Sequence, residues 1–362
     1  MAYLAACAAD GRTPDPARTA GMDPDALYRA AERHLLTSIT AMALESAGIT
    51  TPAFTQSRGK AIRKVAALDV ERATVLEKLE AAGIWYLPLK GAVLKSLYPA
   101  LGMREMSDND ILIDAERADD TAPIMESLGF ARNHSGRVHE VWFKPPVCSF
   151  ELHHALFAQK SNPQLYDYYK DVKSRLIPME GTRFGFRFTD ADFYVYMIAH
   201  EYKHYAGGGT GLRSLLDTYV YCGRKADTLD WAYIAKEMEK LGIAAFEAQN
   251  RSLALHLFRG EPLTAQDRKM LDYILTSGTY GTTEQRVANG VKRLGGGVRG
   301  KLRYMFRRLF PPMQTLLTVY PFFARHKYLI PFLPVYRFVA HRKGVKAELK
   351  ALSKKGKQNT AV

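Results

Sequence analysis

The sequence predicts an α+β protein with a small mixed β-sheet core between N- and C-terminal helical flanks. Apolar residues recur at the spacing of amphipathic helices before residue 82 and again after residue 190. Between these regions, short runs of β-branched and aromatic residues are separated by Gly, Pro and Asp, which is typical of strands and turns. The chain has 362 residues, of which 47% are hydrophobic, so it is large enough to bury a core.

The first part of the chain is predicted to be helical after a flexible leader. Residues 1–22 are rich in Ala, Gly and Pro and show no apolar period, so we expect a flexible leader there. The Asp-Pro pair at 23–24 marks the start of a helix, because Pro is favoured in the first turn. We expect one helix up to Gly48 and a second over 52–81, together forming an N-terminal helical region over 23–82.

The α/β core is predicted over residues 83–190. Its first strand is indicated by the run from Ile84 to Leu89, which ends at a Lys-Gly turn. Strands are expected at 84–89, 110–114, 138–143, 148–154 and 184–188, with helices at 92–97 and 117–128.

A helical domain is predicted over residues 191–280, because the apolar residues return to helical spacing there. Its helices are expected at 190–205, 211–223, 230–241, 243–258 and 265–276.

The net charge of +14 is concentrated in a basic, aromatic-rich C-terminal segment, residues 281–362. This segment holds 18 of the 51 Lys and Arg but only two acids, Glu284 and Glu348, which gives it a net charge of +16. Basic residues interleaved with aromatic ones can bind an anionic membrane surface or a nucleic acid. They can also pack their aromatic rings on the protein body and leave the charges in water, so three roles stay open.

The three cysteines, Cys7, Cys148 and Cys222, lie far apart and show no spacing typical of zinc sites or disulfide frameworks. We therefore expect a protein of the reducing cytoplasm, with peripheral attachment to a membrane as the alternative. The longest uncharged stretch, 309–324, contains three Pro and is shorter than the ~20 apolar residues that a transmembrane helix needs.

An Asp-x-Asp motif carries the first indication of chemistry. Asp108 and Asp110 lie at the start of a predicted strand, where residues i and i+2 point to the same face. Two converging carboxylates repel unless a cation lies between them. Oxygen ligands of this kind suit Mg²⁺, with Mn²⁺ as the alternative. Glu151, inside a later predicted strand, is a candidate for the third carboxylate of a two-metal site.

A glycine turn earlier in the chain complements this motif. Lys90, Gly91 and Ala92 follow the first predicted strand and open a helix. A turn at Gly91 lets backbone N–H groups approach a phosphate closely, and the N-terminus of a helix favours anions. Together, the turn and the carboxylates predict a metal-dependent site for a nucleoside triphosphate (NTP).

The stretch from Leu87 to Asp114 resembles the uncharacterised nucleotidyltransferase family of the DNA polymerase beta-like nucleotidyltransferase superfamily. The residues that carry the resemblance are Lys90-Gly91-Ala92, Tyr98-Pro99, Gly102, Arg104 and Ser107-Asp108-Asn109-Asp110. Less specific matches follow at Glu151-Leu152-His153, His200-Glu201-Tyr202-Lys203-His204, Gly211-Leu212-Arg213 and Asp217.

This resemblance implies a sheet of four to five strands and transfer of a nucleoside monophosphate from an NTP to an acceptor with Mg²⁺. It implies that Asp108, Asp110 and Glu151 are the metal and catalytic carboxylates. It also implies that substrate is bound by the phosphate-loop glycine and its neighbours, Lys90, Gly91, Ala92 and Arg104. The family does not name the acceptor, which could be a small molecule, a glycan precursor, a protein or an RNA.

Two positions depart from the superfamily pattern. Ala92 stands where Gly or Ser is usual, so a phosphate must be held by backbone N–H groups and Lys90. Asn109 stands where a hydrophobic residue is usual, and we expect its side chain to point away from the site.

The predicted helix over 190–205 offers further substrate-binding candidates, Lys203 and His204. With His200 they lie at i, i+3 and i+4 and so share one face. That face can present Lys203 to a triphosphate, or it can be an ordinary exposed polar face. Arg213 and Asp217, at i and i+4 on the next helix, predict a structural ion pair.

A second hypothesis assigns the function to the basic C-terminal segment. In that case the chain is a non-catalytic or weakly catalytic protein that binds nucleic acid or a membrane surface. The intact Asp-x-Asp motif and Glu151 favour the enzyme.

Overall fold

The computed structural model describes residues 1–136 and 138–353, which form two compact units. One unit contains residues 1–203 and 211–275, and the other contains residues 204–210 and the described residues from 276 to 353. The expected leader, N-terminal helices and α/β core therefore fall in the first unit, and the basic C-terminal segment falls in the second.

The elements of the first unit comprise a helical N-terminal part, the strands, and a helical C-terminal part. Its helices are α1 Ala2–Ala9, α2 Pro16–Thr19, α3 Pro24–Arg33, α4 Thr37–Ser46, α5 Pro52–Ala81, α6 Gly91–Leu94, α7 Thr121–Ser127, α8 Pro163–Tyr169, α9 Asp190–Gly207, α10 Leu212–Arg224, α11 Trp231–Lys240, α12 Ala244–Arg259 and α13 Ala265–Ser277, with α9 and α13 ending in the second unit. Its strands are β1 Tyr86–Pro88, β2 Asn109–Ile113, β3 Ala131–Ser135, β4 His139–Lys144, β5 Cys148–His153, β6 Ile177–Pro178 and β7 Phe186–Arg187.

The second unit is helical over its described residues. Its helices are α14 Thr283–Arg293, α15 Gly297–Leu309, α16 Met313–Val319, α17 Pro321–Arg325, α18 Leu333–Ala340 and α19 Arg342–Ser353. Among the described residues of both units, no helix is long and apolar enough to cross a membrane.

A five-stranded mixed sheet forms the centre of the first unit, in the order β1-β2-β5-β4-β3. The strands β2 and β5 are parallel, and the other neighbours are antiparallel. The predicted α+β class, with a small mixed sheet between helical flanks, is confirmed. The strands β6 and β7 form a separate two-stranded sheet.

The two faces of the five-stranded sheet bury different side chains, because successive residues of a strand alternate between faces. One face packs Ile111, Trp142 and Phe150 against α5 and α7. The other face packs Leu87 and Leu112 against a cluster that includes the buried side of α9. Asp110 shares its face with Leu112, so it lies on the α9 side.

The expected flexible leader over residues 1–22 differs from the structure. Residues 2–9 form α1, and Leu4 and Cys7 are fully buried. Helix α1 packs on α4 and α12. Because six consecutive residues of α1 are buried, its sequence shows no amphipathic period.

Two further expectations need correction. The helix expected up to Gly48 is broken into α3 and α4 at Leu35, whose φ of +53° is incompatible with a continuous helix. The edge strand β3 was not expected, because residues 131–134 are exposed and show no apolar alternation.

Candidate active site

The pairing of β2 with β5 brings the predicted carboxylates together. In this parallel pair, Asp110 lies opposite Glu151. Asp108 precedes β2 by one residue and interacts electrostatically with both of these carboxylates. Asn109 points to the opposite face, as expected, where its Nδ2 donates to the carbonyl oxygen of Leu68. The structure thus places the three expected carboxylates on one face of the sheet.

Asp110 is held by two cationic or proton-bearing side chains. The ammonium of Lys90 lies 2.7 Å from Oδ1 of Asp110, and Nε2 of His153 lies 2.8 Å from the same oxygen. Burial raises the pKa of Asp110, but the charge of Lys90 and the hydrogen bond from His153 outweigh it and hold that pKa well below its ordinary value. Asp110 is therefore ionised at neutral pH.

Asp108 is in the opposite electrostatic situation. Burial and then the charge of Asp110 raise the pKa of Asp108 to about 6, against the lowering effect of Lys90. Within residues 1–136 and 138–353, its carboxylate makes no hydrogen bond, and both contacts of Asp110 involve Oδ1 rather than Oδ2. These unused, crowded carboxylate oxygens fit a hard divalent cation such as Mg²⁺.

Lys90 acts on Asp110 from a strained turn. It has a φ of +44°, which is unusual for a residue with a Cβ, and it precedes α6. Burial lowers its pKa, but the charge of Asp110 dominates and raises it above the ordinary value. The direct partner of Lys90 in this structure is thus Asp110.

Gly91 is required by close packing beside Arg104. A Cβ at position 91 would lie 2.8 Å from Nη1 of Arg104 and 3.3 Å from Cε of Met106. Arg104 is buried and forms a two-pronged ion pair with Asp217, with Nε–Oδ1 at 2.7 Å and Nη2–Oδ2 at 2.8 Å. The structure therefore places Arg104 behind the turn, in a buried ion pair.

The predicted ion pair between Arg213 and Asp217 is wrong. Asp217 is taken by Arg104 and also accepts a hydrogen bond from the hydroxyl of Tyr98 at 2.7 Å. Arg213 instead donates from Nη1 to the carbonyl oxygen of Glu105. Arg104 is preferred over Arg213 as the partner of Asp217, because its guanidinium binds both carboxylate oxygens at once.

Ala92 lies in the short helix α6 after the turn. Its N–H donates to the carbonyl oxygen of Leu89, so it stabilises the turn. Beside α6 is a cavity of about 410 Å³, whose lining includes Pro88, Ala92 and Val93.

Lys203 and His204, neighbours in α9, are placed differently. Burial, and then the nearby charge of Lys90, lowers the pKa of Lys203 to about 8, and the carboxylates of Asp110 and Glu151 oppose this shift. Lys203 forms no ion pair within the described residues, and its Nζ lies 5.9 Å from the ring of Phe157. His204 is exposed and belongs to the second unit.

Two histidines at this site were not among the expected site residues. His153 is two residues after Glu151 on β5 and shares its face, and His139 lies opposite His153 on β4. His139, Glu151 and His153 each present a ligand atom within 4.8 Å of the others. The spacing of Glu151 and His153 could have revealed the first histidine, but the second depends on strand register.

Comparisons with known proteins identify a family and a partial structural likeness. The model of a family described as uncharacterised nucleotidyltransferase matches residues 20–259. A solved structure with a partial likeness is an antigenic nucleotidyltransferase-like protein from Paracoccidioides brasiliensis. It shares 16% identity over 53% of this chain and 92% of its own, with a TM-score of 0.35. No curated protein matches the chain.

Proposed function

This chain belongs to the uncharacterised nucleotidyltransferase family, and we propose that it transfers a nucleoside monophosphate from an NTP to an acceptor. The proposal depends chiefly on one observation. The register of β2 and β5 sets Asp110 opposite Glu151, with the carboxylate of Asp108 beside them and without a hydrogen-bond partner among the described residues.

The carboxylates suit Mg²⁺ or Mn²⁺ as the cofactor. Asp108 and Oδ2 of Asp110 would hold the ion, and Glu151 would supply the third carboxylate. A hydrogen bond from His153 lowers the pKa of Glu151 against the effect of burial, so Glu151 is ionised at neutral pH. Bound ions of this kind activate an attacking hydroxyl and stabilise the leaving pyrophosphate.

We assign the substrate-binding candidates to three roles. Lys203 forms no ion pair within the described residues, but it interacts electrostatically with Asp110 and Glu151. Its ammonium is therefore suited to bind the negative charge of a triphosphate. Lys90 is a positioning residue, because its ion pair fixes Oδ1 of Asp110. Gly91 and Ala92 shape the turn, and Arg104 supports it from behind.

Calorimetric titration with each of the four NTPs and Mg²⁺ tests this function. Wild-type protein is expected to bind at least one NTP, and the Asp108→Asn/Asp110→Asn variant is expected to lose that binding. Asp119→Asn is a matched control, because Asp119 is an exposed carboxylate outside the site. If folded wild-type protein binds no NTP, or if the double variant binds equally well, the proposed function is wrong.

A second candidate function belongs to the basic C-terminal segment, and a specific observation favours it. One side of α15 exposes apolar residues at helical spacing: Val298, Leu302, Met305, Phe306 and Leu309. Val298 is 75% exposed and Phe306 is 64% exposed. Exposed basic residues flank this stripe, namely Arg299, Arg303, Arg307 and Arg308.

We propose that this helix face binds an anionic lipid bilayer. An amphipathic helix with an apolar stripe and flanking basic residues can lie in the interface plane of a membrane. The net charge of +16 in residues 281–362 complements anionic headgroups. A nucleic acid would contact the basic residues but would leave the aliphatic residues of this stripe in water.

Flotation with vesicles of phosphatidylcholine, with and without phosphatidylglycerol, tests this surface. We expect salt-sensitive binding to the anionic vesicles alone, and its loss in Leu302→Asp/Phe306→Asp. Val70→Asp, on the exposed side of α5 in the first unit, is the matched control. Binding of RNA that survives the Leu302→Asp/Phe306→Asp change, with no vesicle binding, would show that the lipid assignment is wrong.

A further inference from the structure

His139, Glu151 and His153 form a second group of potential metal ligands at the edge of the proposed site. One ligand atom from each residue lies within 4.8 Å of the other two. The group contains two imidazoles and one carboxylate, whereas the Asp pair offers oxygen alone.

Strand pairing holds these three side chains together. His139 lies opposite His153 in the antiparallel pair of β4 and β5, and their ring centroids are 5.2 Å apart. Glu151 is two residues before His153, so it projects from the same face of β5. Neighbouring strands of one sheet thus provide the ligands.

The two ring nitrogens of His153 have different roles. Nε2 lies 2.8 Å from Oδ1 of Asp110 and 3.4 Å from Oε2 of Glu151, so it is the nitrogen that donates a proton to these carboxylates. Nδ1 is therefore the nitrogen that is left for an ion. The contact of Nε2 with Asp110 also shows that this group adjoins the Asp pair.

His153 also retains an unused ligand atom in a buried setting. The residue is only 7% exposed, and its Nδ1 is buried without a hydrogen-bond partner within the described residues. A buried polar atom without a partner destabilises the fold unless something binds it. A metal ion at one ring nitrogen, with the other nitrogen hydrogen-bonded to a carboxylate, would satisfy both nitrogens.

The donor set discriminates between metals. Imidazole nitrogen is a good ligand for Zn²⁺, Fe²⁺ and related transition ions, whereas Mg²⁺ prefers oxygen ligands and water. His139 and Glu151 are only partly buried, so solvent or a substrate oxygen can complete the coordination. Three protein ligands and one open position are typical of catalytic rather than structural zinc sites.

We propose that His139, Glu151 and His153 bind a divalent transition-metal ion beside the Asp108–Asp110 pair. This inference deepens the proposed function, since it assigns the third carboxylate to an ion that differs from Mg²⁺. The ion would add positive charge at the sheet face that carries Asp110, against which α9 packs.

Titration of the metal-free full-length protein with Co²⁺, followed by visible absorption, tests the site. Wild-type protein is expected to develop ligand-field bands typical of nitrogen coordination, and Zn²⁺ but not Mg²⁺ should abolish them. His139→Ala should weaken Co²⁺ binding by more than ~100-fold, because loss of a direct ligand exceeds the effect of an outer-shell change. Glu151→Gln should act in the same direction.

His154→Ala is the matched control. His154 interacts electrostatically with Glu140, His153 and Asp119, but it is not one of the three grouped ligands, so Co²⁺ binding should be unchanged. Thermal unfolding confirms that each variant is folded. Unchanged Co²⁺ bands in folded His139→Ala, or displacement of the bands by Mg²⁺, would overturn the proposal.

The experiment separates this inference from the function on which it rests. Asp108→Asn should abolish Mg²⁺-dependent NTP binding while the Co²⁺ bands persist. If the proposed function fails, NTP binding will be absent or unaffected by Asp108→Asn, and the response of Co²⁺ to His139→Ala still decides the metal site.

Discussion

The ion pairs of Asp110 in the first unit are buried, whereas the charged side chains of α15 in the second unit lie in solvent beside exposed apolar residues. Asp110 is fixed from two sides by Lys90 and His153. Arg307 and Phe306 are both exposed on the same helix. The comparison separates the proposed catalytic site of one unit from the proposed membrane-binding surface of the other. Changes to the two regions should therefore have separable effects.

The largest expected difference is in the free energy of unfolding. Arg104→Ala leaves Asp217 buried without its partner, and loss of one member of a buried pair costs ~3–5 kcal/mol. Arg308→Ala removes an ion pair with Glu348 in which Arg308 remains 44% exposed, and should cost no more than ~1 kcal/mol. Urea unfolding measures both, and equal losses would contradict the distinction between the units.

The next effect concerns the recognition of phosphate. Lys203→Met is expected to weaken NTP binding ~10- to 100-fold, which corresponds to ~1.4–2.7 kcal/mol. Because the pKa of Lys203 is lowered to about 8, its ammonium is present below that pH and is lost as the pH rises through it. Wild-type affinity should therefore fall above pH 8, and the variant should lack that fall.

A control in the second unit sharpens this result. Arg307→Gln should weaken binding to anionic vesicles and leave NTP affinity unchanged, while Lys203→Met should do the reverse. If either change affected both measurements, the two regions would not be functionally separate.

A pH-dependent effect on stability concerns Glu201, which is buried in α9. Burial raises its pKa to about 8, although Asn250 donates a hydrogen bond to it at 3.1 Å. Because the folded-state pKa lies above the unfolded value, the unfolded chain releases this proton first, and stability falls as the pH rises from about 4.5 to about 8. Because Glu201→Gln removes this ionisation, it should raise the stability at pH 9 and have little effect at pH 4, as measured by thermal unfolding.

The sequence predicted the elements whose signals are local. Strand β2 lies within one residue of its expected bounds, because an uninterrupted apolar run follows the Asp-x-Asp motif. The short strand β1 and its turn were expected from the apolar run of Ile84 to Leu89 and the Lys-Gly pair that follows it. By contrast, β3 has no apolar alternation, and α1 is buried by α4, α10 and α12, which are distant in the chain.

Some features of the candidate site follow from local sequence spacing, and others depend on contacts between distant segments. The convergence of Asp108 and Asp110 follows from period-2 spacing alone. The placement of Asp110 opposite Glu151, and of His139 opposite His153, depends on strand register, which no local pattern contains. The ion pair of Asp217 also depends on tertiary structure. Helical spacing suggested Arg213 as its partner, whereas the structure pairs it with Arg104.

Transfer of label from NTPs that carry a labelled α-phosphate tests the central claim most directly. Wild-type protein and the Asp108→Asn/Asp110→Asn variant would be compared with Mg²⁺ and fractions containing small molecules, proteins or RNA. We predict a labelled product from the wild type, at a rate at least ~1,000-fold above that of the variant, because metal ions contribute several kcal/mol to such transition states. Equal labelling by the folded variant would contradict a carboxylate-dependent nucleotidyltransferase.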